Sequence, residues 1–201
     1  MDESVKQALA KWPNVPHCYG WLALDARGAF RMRDEIAQTA QLPGDVIRHE
    51  SLLAFIYRNY TRDSRGAWYF QNGPQRVYVE LETTPFIVRS DPACDFVFHD
   101  KTPINEIDNV YMTNEGNMIL RSGHKIAMVD NHDLAHCLSM LYLDDHLVAD
   151  DDLLQWLSSP HEALQIQLRS QAKTVEWIDA HQLESQLGFV ARPSERNITS
   201  E

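Results

Sequence analysis

Two alternating segments that meet at Asn72-Gly73 constrain the fold of this chain more than any other feature. The aromatic run at 68–70 precedes the dipeptide, and between residues 76 and 82 valine and leucine alternate with tyrosine and glutamate. A period of two is typical of strands, and Asn-Gly is the strongest short-range signal for a tight hairpin turn, because both central residues of that turn need positive φ. The sequence therefore predicts an antiparallel hairpin here.

The second half of the chain repeats the pattern of the first. Hairpins are predicted at 20–33 and 109–121, each with a glycine at its turn, and helices from Ser51 to about Tyr60 and from Asp133 to about Leu143. The alignment of the halves places Gly28 on Gly116, Arg33 on Arg121, Ser51 on Asp133, Tyr60 on Tyr142 and Asp63 on Asp145. Since hairpin, helix start and helix end repeat together, we predict an internal duplication.

These elements predict an α+β protein with two similar hairpin–helix–sheet units and a short C-terminal appendage. The predicted parts are an N-terminal extension at 1–17, a first unit at 18–91, a second unit at 92–148 and an appendage at 149–201 packed on the second unit.

The net charge of the chain limits the classes of partner that it can bind. The net charge of −11 argues against a nucleic-acid or acidic-membrane binder, because phosphate binding relies on Lys and Arg. Residues 1–100 carry 11 Lys+Arg and 13 Asp+Glu, whereas residues 101–201 carry 7 and 16. A local anion site in the first half is therefore compatible with the overall negative charge.

The cysteines and the N-terminus point to a cytoplasmic protein. Three widely spaced cysteines without a CxxC pair suit a reducing compartment. The polar, acidic N-terminus lacks the order of a signal peptide, and no apolar run approaches the roughly 18 residues that span a bilayer. We therefore predict a cytoplasmic protein that binds neither nucleic acid nor membrane.

A set of spaced residues between positions 18 and 86 forms a further pattern. Its members are Cys18…Asp25-x-x-Gly28, the segment 51–63, and Gly66-x-Trp68…Pro74-x-Arg76-Val-x-Val79-x-x-Glu82-x-x-Pro85-Phe86. This pattern resembles the bacterial family named domain of unknown function 1285, or a sister family, over residues 18–89. Beyond Arg89, the glycine- and aromatic-rich C-terminal strand of that family has no counterpart in this sequence.

The resemblance carries expectations about fold and function. It implies an α+β fold with a duplicated core and a second half similar to pleckstrin-homology-like folds. It also implies a nucleotide-type ligand site between the halves and a role in signal transduction.

The strongest candidate site is an anion-binding face on the first unit. Arg58 and Arg62 stand four apart on the predicted helix, so their guanidinium groups can converge on one phosphate or carboxylate. Tyr69 or Tyr78 could stack on a base. The candidate set is Arg58, Arg62, Arg65, Gln71, Asn72, Gln75 and Arg76. The alternative for these residues is a solvated helix face beside a polar turn.

A metal site is the second candidate. His132 and His136 stand one turn apart on a predicted helix, with Asp133 between them, and two such imidazoles can bind one ion. The pattern lacks the glutamate of HExxH and specifies no third ligand, so an ordinary partly exposed helix explains it as well. Cysteine catalysis is disfavoured, because His17 and Cys18 are neighbours on a predicted strand and point to opposite faces.

Together these patterns favour a non-enzymatic regulatory or ligand-binding protein with a small anionic ligand of nucleotide type. No cofactor is firmly predicted. Two alternatives stay open: a metal-dependent enzyme that uses His132 and His136, and a protein-interaction module, or homodimer, that uses exposed sheet edges.

Overall fold

The computed structural model describes residues 1–160 and 163–195, which form two compact units. Unit 1 comprises Met1–Pro85 and the described residues that follow Leu187, and unit 2 comprises Phe86–Leu187. Each unit combines helices with one large sheet of mixed direction. The predicted α+β class is confirmed. No helix in the described part of the chain is long and apolar enough to cross a membrane.

Unit 1 is built on a six-stranded sheet in the order β3-β2-β1-β6-β5-β4. Its elements are α1 (Glu3–Lys11), β1 (Cys18–Leu24), β2 (Phe30–Met32), α2 (Glu35–Thr39), β3 (Asp45–Val46), α3 (Glu50–Arg58), β4 (Tyr60–Arg62), β5 (Trp68–Asn72) and β6 (Gln75–Leu81). The strands β1 and β6 pair in parallel, whereas the other neighbours are antiparallel.

The hairpin β5–β6 confirms the strongest prediction, although its turn lies one residue later than expected. Asn72 pairs with Gln75, so the turn residues are Gly73 and Pro74. Gly73 has a φ of +57°, while the ring of Pro74 holds its own φ negative. This is the pattern of a turn that needs a glycine at its first central position only.

The helix α3 ends earlier than predicted, at Arg58 rather than near Tyr60. Asn59 is 1% exposed, and its backbone oxygen accepts the N–H of Gln71 at 2.9 Å. This bond ties the chain to β5, and the next three residues become the strand β4. Arg62 therefore lies on a strand and not on the helix with Arg58. The start was also misplaced, because the imidazole of His49 caps α3.

The two faces of the first sheet differ in chemistry. One face is apolar and lies against α3, where the ring of Phe55 meets that of Phe70 at 5.3 Å. Alternation along the strands places the opposite set of side chains on the other face. That set, called here the polar face, includes Arg31, Tyr69, Arg76, Tyr78 and Glu80.

Unit 2 contains a nine-stranded sheet in the order β13-β12-β14-β15-β9-β10-β11-β7-β8. Its elements are β7 (Phe86–Asp91), β8 (Asp95–Phe98), β9 (Asn109–Thr113), β10 (Met118–Ser122), β11 (Lys125–Val129), α4 (Asn131–Leu138), β12 (Leu141–Leu143), β13 (His146–Leu147), α5 (Asp150–Ser158), β14 (Leu164–Gln167), β15 (Ala172–Ile178), a 3-10 helix (Ala180–Gln182) and α6 (Leu183–Leu187).

Both sheets contain the same arrangement of six strands, which confirms two similar units. The order β11-β10-β9-β15-β14-β12 in unit 2 matches β3-β2-β1-β6-β5-β4 in unit 1. In chain order, a helix precedes the fourth of these strands in each unit, β4 or β12. The sixth strand, β6 or β15, pairs in parallel with the first, β1 or β9. Unit 2 adds β13 and α5 before its fifth strand, and the hairpin β7–β8 at one edge.

Strand pairing tests the predicted alignment of the halves residue by residue. Leu24 pairs with Phe30 as Met112 pairs with Met118, in agreement with Gly28 placed on Gly116. The helix alignment was wrong by one residue. His49 and Asp130 are the equivalent caps, so Ser51 does not match Asp133. Likewise α4 begins at Asn131 and ends at Leu138, before the strand β12.

The equivalent strands β4 and β12 show the same shift of one residue. Tyr60 pairs with Phe70 and Leu141 pairs with Ile166, so Tyr60 corresponds to Leu141 rather than to Tyr142. By the same shift Asp63 corresponds to Asp144 rather than to Asp145. The predicted alignment offset these segments of the two halves by 82 positions, whereas the helix caps and the strand pairs both give an offset of 81.

The units divide the chain at other places than predicted. Residues 86–91 belong to unit 2, because β7 pairs in parallel with β11. The predicted appendage supplies two strands of the second sheet, and its later residues join unit 1, where Ala191 accepts the N–H of Leu81 at 2.8 Å. Its residues 161–162 and 196–201 lie outside the described part. The pleckstrin-homology-like comparison stays a prediction.

Candidate functional site

The structure separates the arginines that were expected to converge. Arg58 lies on α3 and donates from Nε to both carboxylate oxygens of Asp2 at 3.2 and 3.3 Å. Arg62 lies opposite Trp68 in the strand pairing, and therefore on the face of the sheet that carries α3. Neither side chain reaches the polar face.

The polar turn residues are also divided between the two faces. Asn72 and Gln75 pair with each other on the α3 side, and Gln75 donates to the carbonyl of Pro16 at 3.0 Å. Gln71 is completely buried on the polar-face side and donates to the carbonyl of Gly73 at 2.9 Å. Of the predicted set, only Arg65, Gln71 and Arg76 lie on the polar-face side.

Three tyrosines from three strands form the centre of this side of the sheet. The ring of Tyr19 stacks on that of Tyr78 with centroids 4.8 Å apart and planes within 7°. The ring of Tyr69 lies 5.5 Å from Tyr78. With Asp63, Arg65 and Arg76 these residues are called here the tyrosine–arginine cluster.

Asp63 is the one carboxylate of the cluster. Its Oδ1 accepts the backbone N–H groups of Arg65 and Ala67 at 3.0 Å. Its Oδ2 accepts the hydroxyl of Tyr78 at 3.0 Å and Nη2 of Arg65 at 2.5 Å. Burial opposes the charged form, but these hydrogen bonds outweigh it and lower the pKa of Asp63. Asp63 therefore stays ionised and orients Arg65.

The cluster carries more positive than negative charge. The guanidinium of Arg76 lies 4.7 Å from the ring centroid of Tyr69, in a cation–π contact. Loss of solvation and the nearby charges of Arg76 and Arg65 lower the pKa of His17. Two guanidinium groups thus lie near the carboxylate of Asp63, while Glu195 contributes a negative charge near Tyr19.

Tyr19 adds a hydrogen-bond donor to the cluster. Its hydroxyl is buried and has no hydrogen-bond partner among residues 1–160 and 163–195. Burial and the neighbouring Tyr78 raise the pKa of Tyr19 to about 12, so the hydroxyl keeps its proton at neutral pH. The arrangement can bind an anion through fixed donors.

The predicted metal residues do not form a complete site. Nδ1 of His132 lies 2.9 Å from Oδ1 of Asp130, and Asp133 accepts the backbone N–H of Ser90 at 3.0 Å. His136 is exposed. Within the described residues, no group of three or more His, Cys, Asp or Glu side chains could hold a metal ion. Burial raises the pKa of Cys137 to about 12, which makes its thiol a poor nucleophile.

A polar pocket on the same face was missed by sequence reasoning. Its volume is about 510 Å³. The side chains that define its chemistry are Asp25, Arg31, Arg33, Glu80, Glu82 and Arg192. Their alternation was visible in the sequence, with Arg31 and Arg33 in and just after β2, and Glu80 and Glu82 in and just after β6. Only the pairing of β1 with both strands brings the two sets together.

Comparisons with known proteins give a family. The model of the family DUF2944, described as "Protein of unknown function (DUF2946)", matches residues 1–194. A crystal structure of a DUF1285 family protein from Silicibacter pomeroyi DSS-3 is similar over 88% of this chain and 89% of that one, with 12% identity and a TM-score of 0.49. The expected resemblance to DUF1285 or a sister family is thereby confirmed. No curated protein matches the chain.

Proposed function

The chain belongs to DUF2944, a family of proteins of unknown function, and we propose from its geometry that it is a non-catalytic ligand-binding protein. Its ligand is a small anion of nucleotide type, bound by unit 1 at the tyrosine–arginine cluster. Occupancy by such a molecule would suit a regulatory or signalling role.

The observation that carries the proposal is the excess of positive charge around Tyr78. Arg65 lies within 3.5 Å of the Tyr78 hydroxyl, Arg76 is held over Tyr69, and Asp63 neutralises one of the two guanidinium groups. A phosphate or carboxylate suits the remaining charge, because guanidinium groups offer planar sets of donors. The buried Tyr19 hydroxyl can supply a further hydrogen bond.

The protonation states of the cluster favour binding over acid–base catalysis. Tyr19 keeps its proton because its pKa is raised to about 12, and Asp63 remains charged because its pKa is lowered. An efficient general acid or base has a pKa near the working pH. These groups instead act as fixed donors and as a fixed counter-charge.

The choice of a nucleotide-type ligand rests on the planar groups around the proposed anion site. The imidazole of His17 is exposed and meets Tyr78 edge-on at 5.8 Å, and Arg76 presents a stacked guanidinium. Unpaired bases bind to proteins by stacking on aromatic rings and guanidinium planes. A ligand with a phosphate and a base would use both the charge and these surfaces.

Thermal unfolding with AMP, ADP, ATP, GTP, pyrophosphate and uncharged adenosine tests this proposal. A nucleotide at roughly a hundred times its Kd should stabilise the protein by about 2.7 kcal/mol. Arg65→Gln and Arg76→Gln should each weaken binding about tenfold or more, since a charged hydrogen bond is worth roughly 1.5–3 kcal/mol. Arg58→Gln and Arg62→Gln are matched controls on the other face and should leave binding unchanged.

The proposal fails if neither a nucleotide nor pyrophosphate stabilises the protein. It also fails if Arg58→Gln weakens binding as much as Arg76→Gln does. Native mass spectrometry of protein taken directly from cells gives an independent measurement: a co-purifying phosphate compound supports the proposal, and a stoichiometric metal ion contradicts it.

A further inference from the structure

The polar pocket of unit 1 is a built cavity on the polar face of the sheet. Three adjacent strands form its floor with Ala23, Arg31 and Glu80, which lie side by side in the strand pairing. The loop after α2 and Arg192 also line the pocket. A volume of about 510 Å³ lies within the range of small-molecule sites, roughly 300–1,000 Å³.

The internal duplication shows why the space is open. In unit 2 the residue equivalent to Ala23 is Tyr111, which pairs with Ile119 and Glu176 as Ala23 pairs with Arg31 and Glu80. Tyr111 and Ile119 are buried. Two of the three positions are thus filled in unit 2 by the buried side chains of Tyr111 and Ile119, whereas in unit 1 they carry the small Ala23 and the charged Arg31.

Two arginines of the pocket, Arg31 and Arg33, are rigidly held. Arg31 donates to Asp25 at 2.7 Å and to the carbonyl of Gly44 at 3.0 Å. Arg33 is 7% exposed, donates to the carbonyl of Leu42 at 3.1 Å and forms an ion pair with Glu80. Both arginines therefore brace the loop after α2 against the strands, and their charge is already balanced.

Gly44 makes the close approach of this loop possible. Its φ is +79°, and a Cβ at this position would lie 2.3 Å from the carbonyl oxygen of Met32. Any larger residue would push the loop away from β2. The wall of the pocket is consequently preorganised.

Two charges of opposite sign remain for a ligand. Glu82 accepts the backbone N–H of Ala26 at 3.0 Å, and Arg192 is an exposed residue of the pocket lining. Neither forms an ion pair with another residue in the described part of the chain. In total three arginines and three carboxylates line the pocket. A polyanion would be repelled by the glutamates and a polycation by the arginines.

We infer that the polar pocket is a second binding site and that it takes a small zwitterion, an amino acid or a compound with the same two charges. The ammonium group lies at Glu82 and the carboxylate at Arg192, with the ion pair of Arg33 and Glu80 as a fixed neighbour. This inference is independent of the nucleotide-type ligand proposed for the tyrosine–arginine cluster.

Isothermal titration of the full chain with the proteinogenic L-amino acids tests the inference. At least one amino acid should bind, and its N-acetyl and C-terminal amide derivatives, which each lack one charge, should bind about tenfold more weakly or worse. Equal binding of the derivatives, or no binding by any amino acid, would overturn it.

Variants of the pocket residues test where the amino acid binds. Ala23→Tyr copies Tyr111 and should abolish binding by filling the pocket, while Glu82→Gln and Arg192→Gln change exposed side chains and should each cause about a tenfold loss. Arg48→Gln changes an exposed arginine that does not line the pocket and should bind like the parent. Unchanged binding in the two pocket-wall variants would refute the site even if Ala23→Tyr failed to fold.

The two proposed sites can be distinguished with the same proteins. Arg76→Gln should leave amino-acid titrations unchanged, and Glu82→Gln should leave nucleotide stabilisation unchanged. Loss of both ligands in either variant would contradict the assignment to separate sites.

Discussion

The two units share six strands and their pairing, yet equivalent positions carry opposite chemistry. Arg31 of unit 1 corresponds to Ile119 of unit 2, and Arg76 corresponds to Ala172. Ala23, which leaves the pocket open, corresponds to the buried Tyr111. The backbone arrangement thus tolerates either a charged, concave face or an apolar, filled one. Binding capacity belongs to the side chains and not to the fold.

The turns show what the units kept in common. Asp25 accepts the N–H of Ala29 through its carboxylate at 2.8 Å, and Thr113 accepts the N–H of Asn117 through its hydroxyl at 3.0 Å. In both, the backbone bond from the fourth turn residue, Gly28 or Gly116, returns to the first. The turn geometry is therefore duplicated even where its side chains differ.

The largest expected effect comes from emptying the filled position of unit 2. Tyr111→Ala should destabilise the protein by about 3–5 kcal/mol, because a buried aromatic ring leaves a cavity. The counterpart Ala23→Tyr should stay within about 1 kcal/mol of the parent, since its ring enters open space. Urea unfolding measures both. A loss from Ala23→Tyr as large as that from Tyr111→Ala would show that the pocket is not open.

A smaller difference is expected between the two equivalent turns. Asp25→Ala should cost about 2–3 kcal/mol, because it removes a charged acceptor of two backbone N–H groups and of Arg31. Thr113→Ala removes one neutral acceptor and should cost about 1 kcal/mol. Urea midpoints of the two variants decide the order, and equal losses would mean that the carboxylate adds nothing to the first turn.

A pH-dependent effect is expected in unit 2. Burial lowers the pKa of His99 to about 4 from its ordinary 6.5; the charge of Asp100 and the hydrogen bond with the backbone of Ile87 oppose this shift, and the charges of Lys125 and Arg89 add to it. The unfolded chain binds this proton more readily, so the stabilisation is complete above pH 6.5 and is lost as the pH falls towards 4. At about pH 5 the loss should be about 2 kcal/mol.

His99→Gln should flatten this pH dependence, measured as urea midpoints at neutral pH and near pH 5. His17→Gln is the matched variant in unit 1. His17→Gln should change the pH dependence of stability less, because His17 is exposed and water screens the charges that act on it. A parent protein equally stable at both pH values would contradict the role of His99.

Local patterns predicted the hairpins and the duplication, because alternation and glycine turns act over a few residues. The end of α3 at Arg58 was predicted wrongly, since it depends on the bond between Asn59 and Gln71, which lies twelve positions further along the chain. The anion set was predicted in part: Arg65, Gln71 and Arg76 share one side of the sheet, whereas Arg58 and Arg62 do not. The pocket was missed because its arginines and glutamates come from separate strands.

The sequence by itself determined which segments become hairpins and strands, and that the same order occurs twice. It did so because strand periodicity and turn chemistry are local properties of the chain. Only the tertiary structure decided which charges meet. The parallel pairing of β1 with β6 joins segments more than fifty residues apart, and this pairing places Ala23 beside Glu80 and Tyr19 against Tyr78. Such long-range contacts depend on the whole sheet, and no short stretch of sequence encodes them.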